Sequence, residues 1–309
     1  MPVIFDDDGS PDGTTALFYL LSHPEVSVEA ISISYGEAHP EVYIQHIGRK
    51  LDDLGISTIP LGAGQDAPLA GNNAFPEVLR QSANNFWGLP LPNAEKSYPA
   101  QDAAQLIASI INQTPEPITI FVSGPCTNLA QAMRLDPDIR ENIAAVFIMG
   151  GAVYAPGNIS DLLPDPNNTV AEWNIYADPQ AAKEVFESGI DIFLIPLDAT
   201  NQVLIGKKDT SQWRMGGETA DFSAEIYDSL LDSWAVESAA IWDLMTAAIM
   251  VKPDLCSFQL LHLEVITDEG VTSGQTVLDS NKEPNVHVCL EPDVALIKQT
   301  LIDVFSSSQ

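Results

Sequence analysis

Short apolar runs rich in β-branched residues recur along the chain, at residues 28–34, 58–61, 118–122, 144–149 and 192–197. Between them lie stretches with apolar positions at helical spacing, over residues 14–21, 44–54, 103–111, 129–133 and 180–186. Uninterrupted apolar strands alternating with amphipathic helices predict an α/β fold: an open, mostly parallel sheet covered by helices on both faces. Residues 220–251 extend the helical pattern as one or two helices, with Ile226, Leu230, Trp234, Ile241 and Leu244 on the apolar stripe. The pattern then shortens. Residues 260–266, 276–278 and 286–290 read as short extra strands near the C-terminus, closed by a helix over residues 292–304.

Two segments follow neither period. Residues 62–99 and 155–168 are rich in Gly, Asn and Pro and are long enough to cover a site. No repeat or linker breaks the order of elements, so residues 1–309 are expected to form a single domain.

Composition narrows the partners. No run approaches the ~20 apolar residues needed to cross a bilayer, and no basic leader precedes the first strand, so no membrane association and a cytoplasmic location are expected. Forty-three acidic residues against 13 basic ones give a net charge of −30, which opposes binding to nucleic acid or to anionic membranes. Cys126, Cys256 and Cys289 are odd in number and lack metal-type spacing, as expected of a reduced compartment.

The chemistry concentrates at the N-terminus, where Asp6, Asp7, Asp8 and Asp12 stand between an apolar run and a helical pattern. Carboxylates at the carboxyl end of a strand face the crevice in which open α/β sheets bind ligands, and several together repel unless a cation neutralises them. A hard divalent ion suits such a set. Strand alternation sends Asp6 and Asp8 to one side and Asp7 to the other, which makes Asp6 and Asp8 the candidates and Asp7 peripheral.

Three later segments join this cluster. Ser123-Gly124-Pro125-Cys126-Thr127-Asn128-Leu129 follows a strand and starts a helix, where backbone groups face the crevice. Met149-Gly150-Gly151, Gly157-Asn158 and Ala171-Glu172-Trp173-Asn174 place amides and a carboxylate in the loop after a strand, and Trp242-Asp243 sets an acid inside an apolar helix.

Together these segments resemble the nucleoside hydrolase family, calcium-dependent N-ribohydrolases that release ribose and free base from nucleosides. The resemblance runs from Val3 to residues 270–279. It implies a bound Ca2+ and a homo-oligomer, dimer or tetramer, acting on a small-molecule nucleoside. It also implies roles: Asp8 as metal ligand and as base toward the attacking water, Thr127 as donor of a backbone carbonyl to the metal, and Asp243 as the distal metal carboxylate. Asn158, Glu172 and Asn174 match residues that hold the ribose hydroxyls, with Met149 near the sugar.

Two departures stand out. Where the family has two adjacent aspartates, the second a metal ligand, this chain reads Asp12-Gly13. Asp12 matches a ribose contact; either it takes a metal role as well, or Asp6 or Glu37 helps, or the metal is held more weakly. In place of the His that precedes the distal aspartate in non-specific and pyrimidine-cleaving members stands Trp242, as in the purine-preferring inosine-adenosine-guanosine branch. An indole stacks best on a large base, so purine nucleosides are the expected substrates. None of His23, His39, His46, His262 and His287 falls in these motifs, and they read as structural or surface residues, with His39, in the loop after the second strand, the one candidate exception. Competing readings are a nucleoside-binding protein without turnover, motivated by Gly13, and a haloacid-dehalogenase-type phosphatase with Asp6 as nucleophile, Asp8 as acid and magnesium.

Overall fold

The computed structural model describes residues 1–56, 58–91, 96–162 and 167–307. The strands are β1 (Pro2–Asp7), β2 (Ser27–Ile33), β3 (Leu61–Ala63), β4 (Gln101–Asp102), β5 (Ile118–Val122), β6 (Ile143–Met149), β7 (Ile192–Ile195), β8 (Leu204–Gly206), β9 (Ser238–Ala240), β10 (Cys256–Leu261), β11 (Leu263–Val265), β12 (Thr276–Leu278) and β13 (Val286–Pro292). The helices are α1 (Pro11–Ser22), α2 (Pro40–Asp53), α3 (Glu77–Asn84), α4 (Ala103–Gln113), α5 (Thr127–Leu135), α6 (Trp173–Ala177), α7 (Pro179–Phe186), α8 (Leu197–Thr200), α9 (Lys207–Trp213), α10 (Glu218–Trp234), α11 (Asp243–Val251) and α12 (Val294–Ser307).

Nine strands form one sheet in the order β10-β13-β7-β6-β5-β1-β2-β3-β4. Every neighbouring pair is parallel except β10 with β13 at the edge. The apolar runs are continuous because the sheet is buried on both faces. In β1, Val3 and Phe5 join the core built with α1, α2, α10, α11 and α12, while Ile4 joins the opposite core built with α4, α5 and α7. The chain starts at the centre and winds outward in both directions, so the order reverses between β1 and β5. That reversal opens a crevice at the carboxyl ends of these two strands, where open α/β sheets take their ligands.

Elsewhere the pattern is refined. The helical stretch 220–251 is two helices, because Ala235 in the left-handed region ends α10 and β9 intervenes to pair with β8. The strand expected over residues 260–266 is divided at His262 between β10 and β11, and the one expected at 58–61 falls at β3. The loop 62–99 contains α3; residues 92–95 of it, and 163–166 of the loop 155–168, lie outside the described residues. One expectation is corrected. Cys256 and Cys289, read from the sequence as thiols of a reduced compartment, form a disulfide across β10 and β13 with Cα atoms 5.9 Å apart, because the register sets Cys289 opposite Phe258, two residues from Cys256. Cys126 remains a buried thiol. Among the described residues no helix is long and apolar enough to cross a membrane.

Candidate active site

Asp8 is the first residue beyond β1 and the centre of the crevice. Its side chain is wedged between two glycines at the ends of neighbouring strands: a Cβ on Gly36 would lie 2.4 Å from the Asp8 Cβ, and one on Gly124 2.6 Å from it. No larger residue fits at either place without moving Asp8. The backbone amide of Glu37 donates to Asp8 Oδ2 at 3.1 Å, and Ala38 N–H donates to the Asp8 carbonyl at 2.8 Å, so strand-end amides hold the acid in place. Burial, with repulsion from Glu37 and Asp7, pushes its carboxyl well above the usual range.

The other acids of the cluster diverge. Asp6 turns to the α5 face, where Ser32 Oγ (2.6 Å) and Asn128 Nδ2 (2.8 Å) donate to it; it is fully buried and pushed up to about 7 by desolvation. It does not reach the cavity, so its candidacy as a site residue falls. Asp7, expected to be peripheral, does not line the cavity either; it is fully buried beneath the start of α1, accepting from Gly9 N–H and Ser123 Oγ, both at 2.9 Å. Desolvation pushes it up to about 7. The alternation argument fails here because the strand ends at Asp7, and Asp8 already belongs to the turn.

Asp12 and Asp243 come from the first turns of α1 and α11. Asp12 accepts from Asp243 N–H at 2.5 Å, from Leu244 N–H at 3.4 Å and from the Tyr227 hydroxyl, so it caps α11 and ties it to α1. Burial raises it to about 6 against these donors. Asp243 Oδ2 accepts from Ser10 Oγ at 2.9 Å, and burial plus the neighbouring Asp12 hold it well above the usual range. Thr127 opens α5 below the floor, its hydroxyl donating to Asp178 at 2.8 Å.

On the opposite wall stand the remaining candidates. Glu172 caps α6, accepting from Asn174 N–H (2.9 Å) and Ile175 N–H (3.2 Å), and from Gly151 N–H (2.9 Å); burial raises it to about 6. Asn174 donates Nδ2 to the Met149 carbonyl at 3.1 Å, and Asn158 Oδ1 accepts from Trp173 N–H at 3.1 Å. Met149, at the end of β6, packs beside Trp242.

These groups share a cavity of about 1050 Å3 lined by Asp8, Asp12, Glu37, Met149, Asn158, Glu172, Asn174, Trp242 and Asp243, among others. Thr127 does not line it. A smaller hollow of about 160 Å3 beside Asn73 and Glu269 contains none of these acids. Among the described residues no Lys, Arg or His lines the large cavity; His39 bonds instead to Asn84. Four of the chain's five tryptophans do line it: Trp87, Trp173, Trp234 and Trp242, whereas Trp213 is core. The indole N–H groups of Trp173 and Trp242 are buried without a protein acceptor. Among the described residues no three acidic or histidine side chains already stand as a closed ligand shell, because Asp12 faces helix amides and Asp243 faces Ser10. The sequence pointed to Trp242 but not to Trp87, Trp234 or Tyr227; the only signal for Trp87 was its place in the loop 62–99.

A family model described as inosine-uridine preferring nucleoside hydrolase matches residues 3–299. The pyrimidine-specific ribonucleoside hydrolase RihA of Citrobacter koseri is 31% identical, over 99% of this chain and 97% of its own length. The inosine-uridine preferring nucleoside hydrolase of Bacillus anthracis shares the fold with a TM-score of 0.81 at 27% identity, over 99% of each chain. The purine-preferring ribonucleoside hydrolase of Gardnerella vaginalis does so with a TM-score of 0.86 at 24% identity, over 99% of this chain and 98% of that one, a likeness of fold. The chain belongs to the nucleoside hydrolase family. It is a hydrolase acting on nucleosides.

Proposed function

We propose that this protein cleaves the N-glycosidic bond of purine ribonucleosides to ribose and free base, with calcium held at the floor of the cavity. One observation carries the reading: a buried excess of carboxylates at the sheet's switch point, with no cationic side chain on the cavity wall, opens directly into a chamber lined by four indoles. Such acids cannot all ionise in a desolvated site without a positive partner. The donor set is all oxygen, which suits calcium, and Asp8 and Asp243 would hold it together with the Thr127 carbonyl. Bound there, the ion would neutralise the floor and make an adjacent water easier to deprotonate.

The protein's own groups do the rest. Asp8 is the base that takes the water's proton. Burial, with repulsion from Glu37 and Asp7, raises its proton affinity above that of an ordinary carboxylate, which favours transfer of a proton to it. Glu172, Asn174 and Asn158 orient the sugar, and the Glu172 carboxylate faces the positive charge that develops on the ribose as the bond breaks. Among the described residues no Tyr, His, Lys or Cys lines the chamber to protonate the departing base. Stacking between indoles therefore binds the base, and solvent supplies its proton. A purine offers those indoles the larger face.

The phosphatase alternative loses its nucleophile, since Asp6 is fully buried away from the cavity. The deciding experiment is release of reducing sugar from inosine, adenosine, guanosine, uridine and cytidine, with calcium and with chelator. Purines ahead of pyrimidines, and loss with chelator, are expected. Uridine ahead of inosine would move the specificity toward that named for the Citrobacter relative, and nucleoside binding without sugar release would leave a binding protein.

A further inference from the structure

At the start of α1 the side chain absent from residue 13 is matched by one gained from the sheet. A Cβ built on Gly13 would lie 1.7 Å from Asp7 Oδ1, 2.6 Å from Asp7 Cγ and 2.9 Å from Ser10 Oγ. The volume that a side chain at residue 13 would enter is filled by the Asp7 carboxylate. We propose that Asp7 delivers from the end of β1 the metal-binding carboxylate that α1 lacks at residue 13, so that Asp7 and Gly13 are one exchanged pair within the calcium site. This rests on the calcium reading given above.

Three features place Asp7 in the site. It is the last residue of β1 and its side chain turns under α1, where it meets Gly13 beside Asp12. Its carboxylate accepts only from neutral donors, Gly9 N–H, Ser123 Oγ and Asp8 N–H, and among the described residues no cationic side chain pairs with it. The two oxygens of a carboxylate offer about four acceptor directions, so about one remains for a metal ion. Finally, Ser10 joins the two halves: its Oγ accepts from Gly13 N–H at 2.7 Å and donates to Asp243 at 2.9 Å, so the contact zone of Asp7 and Gly13 is one hydrogen bond away from the distal carboxylate.

The pair has a consequence that ordinary ligand counting misses. Gly13→Asp does not add a ligand, because the new Cβ collides with Asp7; the two positions can hold one carboxylate between them.

The test is calorimetric titration of Ca2+ into chelator-stripped protein, for the native chain, Asp7→Asn, Asp7→Ser, Gly13→Asp and Asp7→Ser/Gly13→Asp, with circular dichroism and melting curves taken before metal is added. Asp7→Asn, which keeps the shape, and Asp7→Ser should each weaken calcium at least about tenfold. Gly13→Asp alone should also weaken it, and the double variant should recover to within about threefold of the native affinity. Native protein that binds calcium while Asp7→Asn binds it equally well would overturn the exchange and leave the calcium reading standing. A double variant that is folded yet binds no better than Asp7→Ser would do the same. Native protein that takes up no calcium would remove the calcium reading itself.

Discussion

At the floor of the cavity the side chains come from the ends of β1, β5 and β6 and from the first turns of α1, α6 and α11; at its mouth they come from α10, from residues 85–89 and from residues 158–162. Floor groups are almost all anchored to backbone amides: Asp8 by Glu37, Asp7 by Gly9, Asp12 by Asp243 and Leu244, Glu172 by Gly151, Asn174 and Ile175. The mouth mixes polar groups such as Asp161 and Ser233 with apolar ones left open, Trp234 being 50%, Leu204 45%, Val236 43% and Leu162 39% exposed. The floor is preorganised, so substitutions there should change the rate of the chemical step. The mouth gains its contacts only when a base arrives, so substitutions there should change affinity and selectivity.

The sharpest way to break this contrast is Asp8→Asn. It should lower kcat by about a thousandfold, in the range for loss of a positioned base, while leaving the melting temperature unchanged or raised, since it relieves a buried like-charge cluster. Sugar release measured beside a melting curve decides it. A variant keeping a tenth of the native rate would move the base elsewhere.

The next effect is thermodynamic and belongs to the floor alone. Asp6 and Asp7 are raised to about 7, Glu37 at the cavity wall to about 8, and Asp12 and Glu172 to about 6, each by desolvation. Raised carboxyl pKa values mean that the folded chain holds more protons than the unfolded one between the usual carboxylate range and those values. Their contribution is therefore fully present below about pH 4 and is lost as pH rises through about 6 to 8. Chelator-stripped protein should melt at a lower temperature at about pH 8 than at about pH 5, and calcium should reduce the difference by neutralising the same groups. Stability rising over that interval without calcium would contradict the desolvated floor.

The two regions also differ in how far the sequence exposes them. Asp8 was legible because a strand end in an open α/β sheet directs an acid into the crevice, whereas Glu172 and Asp243 were singled out through the family resemblance of their motifs. The contact of Asp7 with residue 13 was not legible, because alternation assigns a side only while the strand continues and the space beside Gly13 exists only after α1 packs on β1. Asp6 failed likewise, its direction toward Asn128 being set by β5 and α5. The parallel core followed from the spacing of apolar runs. The disulfide did not, because the approach of Cys256 to Cys289 depends on the register of β10 on β13. At the mouth, Trp87 lies in a loop without period, and Trp234, which the helical period sets on the apolar stripe, is half-exposed at the end of α10, because period does not say which face of a helix meets a cavity rather than the core.

Trp242 joins floor to mouth, N-terminal to Asp243 and packed on Met149. Trp242→Ala should cost at least about tenfold in kcat/KM on purine nucleosides, or about 1.4 kcal/mol, and less on pyrimidines. Equal losses on both classes would make it a structural wall rather than a selective surface.

The smallest expected effect is at the rim. Trp234 is half-exposed at the end of α10 and meets Trp242 edge-on, with ring centroids 6.3 Å apart and planes at 65°. Edge-to-face pairs contribute about 0.5–1.5 kcal/mol beyond their buried area, and half of this ring is in water, so its share lies toward the lower end. Trp234→Ala should raise KM for inosine by about two- to fivefold and leave kcat within about twofold, because the ring touches the base chamber and none of the anchored acids. Steady-state kinetics separates the two. A kcat fall comparable with that of Trp242→Ala would mean that the α10 rim sets the position of α11 and its carboxylate, and the division between a rigid floor and a ligand-completed mouth would have to be redrawn through α10.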